Sequence, residues 1–120
     1  MRRIALIPLL LMVVLGACDD FIGPGHRSLD GDWIARIDGE TVEISLRDDD
    51  RDIRGSGDWG RDDVHITGER YHDDVYLVFE FNRFNPIELE GRIVSREIEG
   101  RLYGSGYHGE SVRFRRDSWR

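Results

Sequence analysis

From Asp30 almost to the C-terminus, apolar side chains recur at every second position, a period that commits the chain to half-buried antiparallel strands. Trp33, Ala35 and Ile37 share one face of a first strand; Val42, Ile44 and Leu46 share a face of a second, beyond an Asp38-Gly39 turn. Ile53, Gly55 and Gly57 mark a third, and Val64, Ile66 and Gly68 a fourth. Val75, Leu77, Phe79 and Phe81 give the strongest alternation. Ile87, Leu89 and Gly91 follow, then Ile98, Gly100 and Leu102, and finally Val112 and Phe114. No stretch after residue 30 carries a helical period. Polar turns at Asp48-Asp49-Asp50, Trp59-Gly60-Arg61-Asp62, His72-Asp73-Asp74 and Tyr107-His108-Gly109 predict hairpin after hairpin.

Eight strands in one open sheet would leave two edges to protect, whereas closure removes them. An apolar residue followed two places later by glycine recurs at Ile53/Gly55, Ile66/Gly68, Leu89/Gly91 and Ile98/Gly100. Glycine weakens a strand interior, so its repeated use on the apolar face points to sharp bending and crowding inside a narrow barrel. The expected fold is therefore all-β, an eight-stranded antiparallel up-and-down (meander) barrel over residues 30–116, with a short tail at 117–120. Its lumen is expected to be lined by Ala35, Ile44, Gly55, Ile66, Gly68, Leu77, Phe79, Leu89, Gly91, Gly100 and Phe114. Small residues in that set would leave an apolar cavity; alternatively the large ones fill the lumen and the glycines serve curvature alone.

Gly31-Asp32-Trp33 at the head of the first strand resembles the Gly-x-Trp signature of the calycins, the lipocalin and avidin superfamily. The resemblance implies that Gly31 and Trp33 form the closed end of the barrel, with a late arginine packed across the tryptophan. Arg113, Arg115 and Arg116 are the candidates for that arginine. The domain is shorter than a typical lipocalin and has no disulfide, because Cys18 is the only cysteine.

Ahead of the barrel, Met1-Arg2-Arg3 is basic, Ile4 to Leu15 is almost uninterruptedly apolar, and Gly16-Ala17 places small residues before Cys18. These are the parts of a secretory signal, and Leu15-Gly16-Ala17-Cys18 resembles a bacterial lipobox. The resemblance implies a lipoprotein signal peptide at 1–17, lipidation of Cys18, and a tether over residues 18–29 that contains Gly23-Pro24-Gly25. Plain secretion with cleavage nearby is the other reading. A transmembrane helix needs about 20 apolar residues; this run is shorter, contains Pro8 and meets Asp19-Asp20 at once. The expected location is the bacterial cell envelope, with the chain held to a membrane through lipid on Cys18.

Removing residues 1–17 leaves 103 residues, in which 15 arginines face 24 acidic side chains and there is no lysine. That balance argues against nucleic acid, whose phosphates require a basic patch, and leaves a basic protein as a suitable partner. Catalytic patterns are missing. His26, His65, His72 and His108 have no metal-ligand spacing. Asp48, Asp50 and Asp52 imitate the opening of a calcium loop, but Ile53 replaces its required glycine and Trp59 its closing glutamate. Gly104-Ser105-Gly106 lacks the strand-to-helix context of a nucleophile elbow. No enzyme, metal or cofactor is expected. On the outer face, Tyr76, Val78 and Tyr103, with Ile34, make either an exposed apolar patch for a partner or scattered surface hydrophobes. Two functions fit: a barrel that binds a small apolar ligand, as calycins do, or an interaction, inhibitor or structural lipoprotein. The second would have a filled barrel and an acidic partner-binding surface.

Cys18→Ser is expected to abolish membrane association while leaving the domain from Asp30 folded, since no core position uses the thiol. Labelling with a radioactive fatty acid tests this: incorporation that persists in the variant would remove the lipoprotein reading.

Overall fold

The computed structural model describes residues 28–117. The expected signal peptide, the lipidation site Cys18 and nearly all of the tether lie outside the described residues. Eight strands follow one another: β1 (Gly31–Ile37), β2 (Glu40–Asp49), β3 (Asp52–Trp59), β4 (Asp62–Tyr71), β5 (Asp74–Phe81), β6 (Ile87–Val94), β7 (Glu97–Gly104) and β8 (Tyr107–Arg116). Each pairs antiparallel with the next, and β8 returns to β1, so the sheet closes as an up-and-down barrel. The alternation seen in the sequence sets the register. Val42, Ile44 and Leu46 are buried between exposed neighbours on β2, and Val75, Leu77 and Phe79 on β5. Charged side chains project outward, the inverse of a lipid-spanning barrel with its apolar outer band.

Because every strand reverses, the barrel has two distinct ends. One gathers residues 28–30, the turns at 50–51, 72–73 and 95–96, and Arg116; the other gathers the turns at 38–39, 60–61 and 105–106 and the longer loop 82–86. We call these the tether end and the hairpin end. Asp38 and Gly39 both take positive φ, at 55° and 80°, as a two-residue hairpin of the Asp-Gly type requires.

Two boundaries differ from expectation. Tyr107-His108-Gly109 is not the last turn but the opening of β8; the turn is Gly104-Ser105-Gly106, where all three residues have positive φ. Two glycines make that conformation accessible, and a bulge opposite Leu102/Tyr103 restores the register beyond it. Leu29, expected as the last tether residue, is fully buried and belongs to the core, so the packed domain begins before β1.

The inward glycines act on the sheet itself. Gly91 and Gly100 sit directly opposite each other, as do Gly55 and Leu46, and Gly68 and Leu77. A Cβ at any of these glycines would fall far inside contact distance of a carbonyl oxygen on the adjacent strand. Their absence of side chain lets neighbouring strands coil closely enough to close a small barrel. Gly68→Val, Gly91→Val or Gly100→Val is therefore expected to destabilise by about 1–3 kcal/mol, although valine has the better strand propensity. The outward Thr67→Val should be near neutral. Chemical denaturation measures both, and glycine variants as stable as the wild type would place these positions on the other face.

Candidate functional site

Ala35, Ile44, Ile66, Leu77, Phe79, Leu89 and Phe114 are buried in one apolar cluster, and Gly55, Gly68, Gly91 and Gly100 lie half-buried on the same face of their strands. Aromatic rings occupy the middle of the barrel and its hairpin end. Phe79 stacks on Phe114 with centroids 6.1 Å apart. Trp59 makes T-shaped contacts with Phe79 at 5.3 Å and Phe81 at 5.5 Å, with Tyr107 at 6.4 Å. Trp59 was expected in a turn, yet it is the last residue of β3 and is buried. Its parity with Ile53, Gly55 and Gly57 is the signal that would have placed it inward. Surface concavities flank the barrel, one over Gly91, Gly100 and Val112 and one beside Arg96 and Arg116.

The tether end is shut by Trp33, which is only 1 % exposed. Its indole Nε1 donates to the Leu29 carbonyl at 2.9 Å. Of the three candidate arginines, Arg116 is the one across the ring, with its guanidinium carbon 4.4 Å from the ring centroid. Arg116 also donates through Nη1 to the Asp30 carbonyl and through Nη2 to the Ser28 carbonyl. Burial, and then the nearby Arg96 charge, lowers its pKa from the usual arginine value. Gly31 has φ +127°, and a Cβ there would stand 2.8 Å from Arg116 Nη1. The glycine of Gly-x-Trp is thus favoured by its positive φ, and a side chain there would also press on the arginine that covers the tryptophan.

Asp48 completes this end, a role the sequence pattern did not reveal. Its carboxylate is almost wholly buried and accepts the backbone N–H of Leu29 at 2.8 Å and of Asp50 at 3.0 Å. Arg70 Nε stands 2.9 Å from Asp48 Oδ2, close enough for strong attraction but not aligned as a hydrogen bond. Of the aspartates that imitate a calcium loop, Asp48 therefore serves to fasten Leu29. Among the described residues no three His, Cys, Asp or Glu side chains converge to hold a metal ion.

The outer face of β4–β7 has a different character. Tyr76 and Val78 stand on β5, and Tyr103 on β7, with Tyr76 and Tyr103 38 % and 36 % exposed. Glu88 lies between Val78 and Tyr103 in the register, Glu90 and Glu69 flank Tyr76, and Glu80 faces His65. No ion pair engages Glu69, Glu80, Glu88 or Glu90 among the described residues. The nearest cation in the register, Arg101, donates instead to the Gly109 carbonyl at 2.9 Å. The Tyr76 phenol is held above the usual tyrosine pKa, first by burial, then by Glu88, its hydrogen-bond partner, with Glu90 and Glu69 adding. Ile34 does not join this group. It stands on β1, four strands from β5 around the ring and opposite Glu43 and Arg115.

Comparison with family models, with curated proteins and with solved structures finds no match in any of the three. The closed eight-stranded antiparallel barrel is compatible with a calycin-like architecture.

Trp33→Ala should cost about 3–5 kcal/mol, as for other large-to-small core changes. A denaturation midpoint that barely moves would mean that the tether end does not depend on the indole.

Proposed function

We propose that this protein is a non-enzymatic, lipid-anchored lipoprotein of the bacterial envelope whose side-chain-filled barrel presents an acidic, tyrosine-bearing face to a basic protein. The observation that carries the reading is the set of carboxylates without an ion pair among the described residues, Glu69, Glu80, Glu88 and Glu90, around Tyr76, Val78 and Tyr103. Like charges held this close repel one another in the free protein. A partner's guanidinium or ammonium groups relieve that repulsion, while exposed tyrosines supply the large, rigid contacts typical of binding hot spots. The stacked Phe79 and Phe114, with Trp59 and Trp33 toward either end, favour this over a ligand held in the lumen.

Photo-crosslinking in the native envelope tests the proposal. A benzophenone amino acid at Val78 should capture a protein of basic surface, and one at Ser56, on the outer side of β3, should not. Glu88→Arg with Glu90→Arg should eliminate the Val78 product, and raised salt should weaken it. A crosslink indifferent to charge reversal overturns the reading. Native mass spectrometry of protein purified from its own envelope should give the mass of the lipidated chain alone; a retained small apolar molecule would favour the ligand-binding barrel instead.

A further inference from the structure

The two strands that close the barrel are joined over only part of their length. β1 and β8 pair at Trp33↔Arg116 and Ile34↔Arg115, and the Asp117 N–H donates to the Asp32 carbonyl at 2.9 Å. The same register would next set Ala35 against Phe114, Arg36 against Arg113 and Ile37 against Val112, and none of these pairs forms. Each strand is nevertheless fully paired on its other side along this span, β1 with β2 and β8 with β7. Hydrogen-bonded pairs alternate along an antiparallel ladder. Since Asp32 and Asp117 form one such pair, Ile34/Arg115 and Arg36/Arg113 are the next, so the N–H and C=O groups of Arg36 and Arg113 point into the unpaired span.

The side chains explain the split. Arg36 and Arg113 would be like charges directly opposite each other, an unfavourable pair. They lean apart. Arg36 donates to Thr41 Oγ1 at 3.3 Å and the Gly39 carbonyl at 3.4 Å on its own hairpin, and Arg113 turns to Glu97 at 3.3 Å and Glu99 at 3.4 Å on β7. Of the core residues beside the span, Ala35 and Ile37 are 6 % exposed and Val112 is 7 %, while Phe114 is fully buried. At the hairpin end the span is bridged by one side-chain hydrogen bond, from the Tyr107 hydroxyl to Asp38 Oδ2 at 2.7 Å.

We infer that the β1–β8 seam is a second binding site, which accepts an extended acidic segment of another protein as an added strand. Strand addition uses main-chain hydrogen bonds for affinity and alternate side chains for specificity. A residue lying between Arg36 and Arg113 points outward, where a carboxylate meets the Arg36 guanidinium and competes with Glu97 and Glu99 for Arg113. Its neighbours point inward over Ala35, Ile37 and Val112, where apolar side chains fit. The seam therefore selects an apolar–acidic–apolar pattern, and the Tyr107–Asp38 bond is the clasp such a segment must pass. This site lies on the side of the ring opposite the acidic tyrosine face and is independent of it.

The test uses the full chain in detergent and an acetylated, amidated Val-Glu-Val-Glu-Val peptide. Amide hydrogen exchange read by NMR should show Arg36 and Arg113 exchanging faster than mid-strand amides of β4, with protection gained on adding the peptide. Arg36→Glu with Arg113→Glu should weaken binding by about tenfold or more, one decade being about 1.4 kcal/mol, and should favour a Val-Lys-Val-Lys-Val peptide. Tyr107→Phe keeps the ring packing, removes the clasp and should speed peptide entry. Slow exchange at Arg36 and Arg113, no protection by the peptide, or equal binding of the lysine peptide to the wild type would each overturn the inference. Protection that appears with protein concentration alone would assign the seam to a second copy of this chain and equally overturn the acidic segment.

Discussion

The stack of Arg116 on Trp33 is the contact on which closure of this barrel depends. It joins the last strand to the first where their ladder has only two residue pairs, and it ties both to the Ser28–Asp30 segment through two carbonyls. Burial makes this arrangement stronger than an exposed cation–π contact, because a desolvated guanidinium gains more from the ring. The cost of desolvation is offset by directing its donors to the Asp30 and Ser28 carbonyls. Asp48 performs the complementary task for Leu29, holding its N–H while Trp33 holds its carbonyl. The chain therefore enters the domain clamped through both backbone groups of Leu29.

A barrel this small leaves little choice about its interior. Large rings fill the lumen, and the inner glycines provide backbone proximity rather than space, since the volume their Cβ atoms would occupy already belongs to the adjacent strand. The same feature that looks like an opening in the sequence is, in three dimensions, a point of close contact.

On the outside, charge is distributed unevenly. Glu69, Glu80, Glu88 and Glu90 gather around β5 with no ion-pair partner, while Arg36, Arg113 and Arg115 gather on β8 and β1. The carboxylates around β5 set up a local negative field whose reach depends on ionic strength, whereas Arg113 is matched by Glu97 and Glu99. Net charge alone describes only the sum.

Much of this was legible in the sequence because a two-residue period leaves a strand few alternatives. Trp33, Val42, Ile66, Leu77 and Phe114 face inward together by the alternation along each strand, the short polar turns between strands required antiparallel neighbours, and eight short runs with edges to hide implied closure. Gly31 and Trp33 pointed to a closed end, and an arginine was expected there. Which arginine reached it was decided by strand stagger, which alone brings Arg116 rather than Arg113 over the indole. Asp48 looked like an incomplete calcium loop, and only the tertiary fold shows it meeting Leu29 and Arg70 from other segments. The last turn was misplaced because its glycines resemble strand glycines locally; positive φ at three consecutive residues is a property of the folded backbone. The separation of Ile34 from Tyr76, Val78 and Tyr103 has the same origin. Parity along one strand is local and readable in the sequence, whereas position around a closed ring exists only after the ring has closed.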